Sequence, residues 1–357
     1  MRACLLWLAS TALAVAGWAP ALPGWKYEFP RDHGNHPDFK TEWWYFTGNL
    51  TAANGREFGY QLTFFRQGVR PPGDGLVPQS RFVTSHIKFA HFTVSDLQNK
   101  KIHFFQKLSR GAYGEAGFAD GDRLAWIDDW QMKLKPGSGF LISAVADGVS
   151  IDLDLTEAKA PVIHGKDGVS QKSTGEGRGS HYYSLPSLTT TGTVNGLPVT
   201  GKSWFDHEWA SNQLGEDQVG WDWISLHLDD GSELMLFQLR KKDGTRDEHS
   251  SGTLVGADGS ATPIGISDFT LDPVEFWTSA ETGGKYPIAW RIAIPGKELN
   301  LDLRAAISDQ ELRLKPIVYW EGAVRVSGKS HGAPVTGKGY LEMTGYAGKI
   351  VGMQPGQ

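Results

Sequence analysis

The sequence predicts an all-β protein built from antiparallel sheets. Three observations carry that expectation. Most of the chain reads as short apolar or alternating segments bounded by Gly, Pro, Asn or Asp, and an alternation of period two marks a strand with one buried face. No long amphipathic helix interrupts these segments, and the missing strand–helix alternation argues against a parallel-sheet enzyme. A heptapeptide is echoed: residues 196–202 read GLPVTGK and residues 332–338 read GAPVTGK, 136 residues apart. The echo suggests two related β-domains in tandem, each contributing a Pro-Val-Thr-Gly hairpin.

Composition sets the limits. At 357 residues the chain is long enough for two domains. A charge of −5 excludes a basic nucleic-acid binder. Hydrophobic residues at 40% argue against wholesale disorder. The single cysteine, Cys4, rules out a disulfide framework and thiolate zinc sites. Fourteen tryptophans suit twisted sheets and aromatic-lined cavities.

Residues 1–21 carry a basic start at Arg2, an apolar run, and small residues Ala19 and Ala21 ahead of Leu22. This is a secretory signal pattern, so the expected location is periplasmic or secreted. No later stretch has eighteen uninterrupted apolar residues, so no further membrane span is expected.

The mature chain then runs strand by strand. TEWWYFTGNL (41–50) is followed by Asn54–Gly55 and by REFGYQLTFFR (56–66), in which Phe58, Tyr60, Leu62 and Phe64 share one face. Strands resume in residues 82–96 and 101–108, and residues 130–158 read as a meander. A polar glycine-rich loop (167–184) precedes LTTTGTVNG and SWFDHEW. The polar stretch 210–218 is a natural linker, giving a first domain over 22–215 and a second over 216–357. So many antiparallel strands must protect their edges; closure into barrels is one solution and a β-sandwich is the other.

The densest chemistry lies in SWFDHEWA (203–210). Phe205, His207 and Trp209 share one face; Trp204, Asp206 and Glu208 share the other. A charged group beside aromatic rings in a cavity can acquire a shifted proton affinity suited to acid–base work. His207, Asp206 and Glu208 are therefore catalytic candidates. The competing reading of the two carboxylates is a solvated or hydrogen-bonded loop role. Glu42, in the aromatic strand with Trp43, Trp44 and Tyr45, is a fourth candidate, able to protonate a bound alkene or simply to bond across strands. Trp221 and Trp223 in GWDWISLHLDD, with Trp204, Trp209, Tyr182 and His86, complete the expected ligand-binding set. His207-Glu208 begins a zinc-protease pattern, but Ser211 stands where the second His is required. No metal and no cofactor is expected.

HPDFKTEWWYFTGNL (36–50), RFVTSHIKFAHFTVSD (81–96), HYYSLPSL (181–188) and GKSWFDHEWA (201–210) together resemble the AttH/carotenoid 1,2-hydratase family of secreted proteins. The resemblance implies two lipocalin-like β-barrel domains. It also implies a hydrophobic small molecule, lipid or isoprenoid as ligand, and an ABC-type envelope transporter as partner. Some members of the family hydrate the terminal double bond of acyclic carotenoids, and His207 and Trp209 match their His-x-Trp pattern. The Tyr-x-Asp of those hydratases has no counterpart in residues 232–240, which lack Asp. Binding or handling of a hydrophobic molecule is thus the first expectation, and cofactor-free hydration of an isoprenoid or carotenoid double bond the alternative.

Overall fold

A computed structural model describes residues 17–73, 80, 83–314 and 317–348. Within them the chain forms two antiparallel sheets of 13 and 10 strands and no α-helix. Most of the expected leader, residues 1–16, lies outside the described residues. Its last residues pack on the first sheet: the Ala19 amide donates to the Asp38 carbonyl at 2.9 Å, Ser211 donates to the Ala19 carbonyl at 2.5 Å, and Ala21 is buried.

The first sheet runs from Lys101–Ser109 through His86–Asp96, Glu57–Gly68 and Thr41–Ala52 to Leu197–Asn212 and Gly179–Val194, and returns through the meander to Ala116–Phe118. It curls until its ends nearly meet: the Phe92 and Trp130 rings are 5.5 Å apart, and Lys107 lies over the Trp130 ring at 5.0 Å. Phe58, Tyr60, Leu62 and Phe64 all point into this near-closed barrel. The second sheet begins with Gln218–Leu228 and remains a half-barrel, open between Ala261–Gly265 and Thr270–Thr278.

The echoed heptapeptides occupy equivalent places. Each begins at the second residue of a two-residue turn that joins two central strands. Asn195 and Gly196 turn with φ of 52° and 73°, and His331 and Gly332 with φ of 49° and 78°. Positive φ at both positions gives the turn whose twist matches the flanking strands. In each sheet the second strand of this hairpin pairs with the domain's first long strand, Thr41–Ala52 or Gln218–Leu228.

The two sheets dock through these central strands. Asn49 donates to the Gly339 carbonyl at 3.1 Å, Lys338 pairs with Glu57 at 2.5 Å, and His91 and Tyr319 share a hydrogen bond at 2.7 Å. Gly59 lets the backbones approach, since a Cβ there would sit 2.8 Å from the Ala323 Cβ. Gly59→Val should therefore lower stability by about 1–3 kcal/mol, the usual cost of overpacking. Chemical denaturation checks this; an unchanged midpoint would contradict the tight docking.

Candidate functional site: a cavity between the sheets

Period-two alternation divides the conspicuous residues into two groups. The cross-strand register sets Glu42 against Trp209, Trp44 against His207 and Tyr183 against His207. These side chains point into the first barrel. The same register sets Trp43 against Glu208, Tyr45 against Asp206 and Tyr182 against Glu208. These point the other way, toward the second sheet.

The inward group forms a buried ionic network. Glu42 accepts from the His36 amide at 3.0 Å and from Arg66 Nε at 3.0 Å, and lies 3.0 Å from His207 Nε2. His207, with no exposed surface, also donates from Nδ1 to the Asp32 carbonyl at 2.9 Å. Its ring lies between Trp44 at 4.7 Å and Trp209 at 4.9 Å. Burial alone would raise the Glu42 carboxyl, but Arg66, His36 and His207 outweigh it and hold the group well below the usual carboxylate range. Donor atoms of His36, Glu42 and His207 lie within 4.8 Å of one another. A metal ion placed among them would have to compete with the guanidinium that already balances Glu42. This network is a satisfied charge cluster, and it ties the chain before the first strand to the barrel.

The outward group lines a cavity of about 130 Å³ between the two domains. Trp43, Tyr45, Phe65 and Phe89 form one wall, and Trp221, Trp223, Phe237 and Tyr319 form the other. Asp206, Glu208, Glu321 and Glu342 are set among these rings, with Lys172 and His91. Three Asp206 donors are in place: Tyr182 at 2.7 Å, Trp204 at 2.6 Å, and Ser184. Burial nonetheless raises Asp206 to about 7. Glu342 accepts from Trp221 Nε1 at 2.8 Å and is likewise lifted to about 7, by burial and by the neighbouring Asp206 and Glu208 charges. Glu321 faces Glu342 directly across two strands, a like-charged pair that is unfavourable when both ionise. It is 0% exposed, and although the Tyr45 and Tyr319 hydroxyls adjoin it, no hydrogen bond of good geometry reaches either of its oxygens among the described residues. Burial, then Glu342, pushes it well above the usual range. Burial also lowers the proton affinity of Lys172, although Glu208 at 3.4 Å opposes this, and it drives His91 down to about 3. The cavity thus sets carboxyls that retain protons into the neutral range against a wall of rings.

Of the expected catalytic residues, Asp206 and Glu208 reach this cavity, whereas His207 and Glu42 lie on the opposite face of the same strands. Of the expected ligand-binding residues, Trp43, Tyr45, Tyr182, Trp221 and Trp223 line it. Trp44 and Trp209 belong to the first barrel's core. Trp204 stands behind the wall as a donor to Asp206. His86 lies elsewhere, 6.0 Å from the Trp18 ring. The sequence reading passed over Glu321, Glu342 and Lys172. The echo held the signal for two of them. Its 136-residue offset carries Asp206 onto Glu342, and the hairpin registers then match Ser184 with Glu321 and Tyr182 with Tyr319. The two related hairpins face each other across the cavity.

A pair of docked antiparallel β-domains with an acid-bearing aromatic cavity between them defines a class of two-domain β-barrel proteins. Within it, this chain belongs to the AttH-like family, whose sequence model matches residues 20–346. A crystal structure assigned to AttH from Nitrosomonas europaea is 35% identical, covering 92% of this chain and 99% of that one, with a TM-score of 0.82. Kievitone hydratase from Nectria haematococca shares the fold at 17% identity, covering 93% and 98% of the two chains, with a TM-score of 0.70. The dehydratase asqC of Emericella nidulans is 22% identical over 273 residues, 70% of this chain and 75% of its own.

The raised carboxyls set a pH dependence. Asp206 and Glu342 keep protons in the folded chain up to about 7 that an unfolded carboxyl releases near 4. Across that interval the folded state binds more protons. Their contribution to stability is therefore complete below about pH 4 and is lost as pH rises toward 7. Glu42 and Asp32 are shifted downward, so their contribution is lost on acidification instead. The buried imidazoles His33, His91 and His164, shifted down to about 3, act in the opposite sense over the same interval, so the carboxyl contribution is read as a difference: from about pH 5 to 7, Asp206→Asn with Glu342→Gln should gain stability relative to the wild type. Thermal melts across pH test this; a difference between variant and wild type that does not change with pH would contradict it.

Proposed function

We propose that this protein adds water to, or removes it from, a carbon–carbon double bond of a hydrophobic small molecule held between its two domains. The observation that supports this reading is the set of buried carboxyls that face ring-lined space and keep protons into the neutral range. An acid that is neutral at neutral pH can protonate an alkene carbon, which an ordinary carboxylate cannot. The proton moves from a carboxyl of the Glu321–Glu342 pair or from Asp206 to one alkene carbon. The other carbon becomes cationic, steadied by the faces of Trp43, Trp221 and Trp223. Water bonds to that carbon and returns a proton to the carboxylate. Run backward, the same sequence is a dehydration. Each step uses groups of this chain only.

The relatives point the same way, since one is named a hydratase and another a dehydratase, the two directions of this reaction. Simple binding and carriage of a hydrophobic molecule would need the rings but would give the buried acids no task. An envelope location and a transporter partner rest on the leader and the family resemblance, and they remain part of this proposal.

The test is turnover of a panel of prenylated aromatics and their tertiary alcohols in ¹⁸O-water, followed by mass spectrometry. One ¹⁸O gained per alkene hydrated, or one unlabelled water lost per alcohol dehydrated, is expected. Glu321→Gln and Glu342→Gln should each slow it by about 10²–10⁴-fold, the usual contribution of a general acid. His207→Asn should lower the melting temperature more than the rate. No label exchange with any member of the panel, or a rate loss confined to His207→Asn, would overturn the assignment of the acids.

A further inference from the structure

The inner surface of the cavity is unbalanced in charge. Four carboxyl groups, Asp206, Glu208, Glu321 and Glu342, face it, and the only cation among its lining residues is Lys172. The position of Lys172 shows what the walls accommodate. Its ammonium lies over the Phe237 ring at 4.0 Å and the Tyr182 ring at 4.9 Å, 3.4 Å from a Glu208 oxygen. Ring faces and a carboxylate around an ammonium are the standard means of holding a desolvated organic cation.

The opposite side of the cavity repeats that arrangement without the cation. Glu342 lies beside Trp221, and Glu321 lies near Tyr45 and Tyr319. The Tyr45 and Tyr319 hydroxyls adjoin Glu321, but no hydrogen bond of good geometry reaches the buried Tyr45 hydroxyl or either Glu321 oxygen among the described residues. Such groups are costly to leave unmatched. A proton on the carboxyl removes the charge but leaves the acceptors unpaired.

We propose that this half of the cavity binds a substituted ammonium group carried on an apolar body, seated between the Glu321–Glu342 pair and the rings of Trp43, Trp221 and Tyr319. The inference rests on the reading of this cavity as the substrate site, and it narrows the ligand class to lipophilic organic cations. The ammonium enters as one carboxyl of the pair ionises while the other keeps its proton, so binding releases a proton to solvent. The groups facing the carboxyl pair are Tyr45 from Thr41–Ala52, His91 from His86–Asp96, Asp206 and Glu208 from Leu197–Asn212, Tyr182 from Gly179–Val194, Tyr340 from Ala333–Thr344, Tyr319 from Val318–Ser330, and Lys172. His91 is held neutral by burial, and the tyrosines are pushed further above their ordinary range, so near neutrality the exchange runs through the carboxyls.

Phenyltrimethylammonium and its uncharged carbon isostere tert-butylbenzene separate the possibilities, followed by tryptophan fluorescence at about pH 5 and pH 8. The ammonium ion should bind about tenfold more tightly than the isostere at pH 8, and that advantage should fall away at pH 5. Calorimetry in buffers of different ionisation enthalpy should find about one proton released per ion bound at neutral pH. Glu321→Gln with Glu342→Gln should abolish the preference while tert-butylbenzene still binds, which also shows that the variant is folded. Equal or tighter binding of tert-butylbenzene at pH 8, or binding of the ion without proton release, would overturn the cation proposal and leave the substrate site standing. Failure of both probes to bind would overturn the two together.

Discussion

Desolvation of carboxyl groups between two docked sheets is the constraint on which the rest of this structure depends. Each sheet alone could present Asp206 or Glu342 to water, where a carboxyl ionises at little cost. Docking closes both behind tryptophan and tyrosine rings. The charged form then loses its hydration, and the proton stays on. Gly59 and Ala323, the Asn49 bond to Gly339, and the Glu57 ion pairs hold the sheets at that separation. The cavity chemistry is therefore a property of the interface, and neither domain holds it alone.

The buried network around His207 follows the opposite rule. There each charge meets a partner: Arg66 and two imidazoles surround Glu42, and Asp32 accepts from Arg31 and the Glu28 amide. Pairing favours the ionised forms, so these carboxyls are strong acids in the fold. Two sets of acidic residues, one at the first barrel and one between the sheets, are thus driven in opposite directions. One set is paired with cations, and the other is desolvated beside the cavity.

Much of this was legible in residue order. Alternation places Phe58, Tyr60, Leu62 and Phe64 on one face, and it separates Asp206 and Glu208 from His207. Which of those two faces met open space was not legible. Parity sorts side chains into two groups but carries no information on whether a group meets its own barrel or another domain. A dense pattern such as SWFDHEW draws attention to His207, which is fully buried. Glu321 and Glu342 stand singly in apolar strands and form no local motif. They become visible only when the echoed hairpins are superposed and cross-strand register brings them opposite each other. Lys172 sits in a glycine-rich stretch where periodicity is lost, so only the tertiary fold reveals its place.

The proton-loaded state of the cavity can be observed directly by infrared spectroscopy of the carboxyl C=O stretch in a pH titration. At about pH 6, where ordinary Asp and Glu side chains are ionised, the account predicts a protonated-carboxyl band in the wild-type protein that weakens stepwise in Asp206→Asn, Glu342→Gln and Glu321→Gln and is unchanged in Glu42→Gln. Absence of that band at pH 6, or its loss in Glu42→Gln alone, would contradict the account.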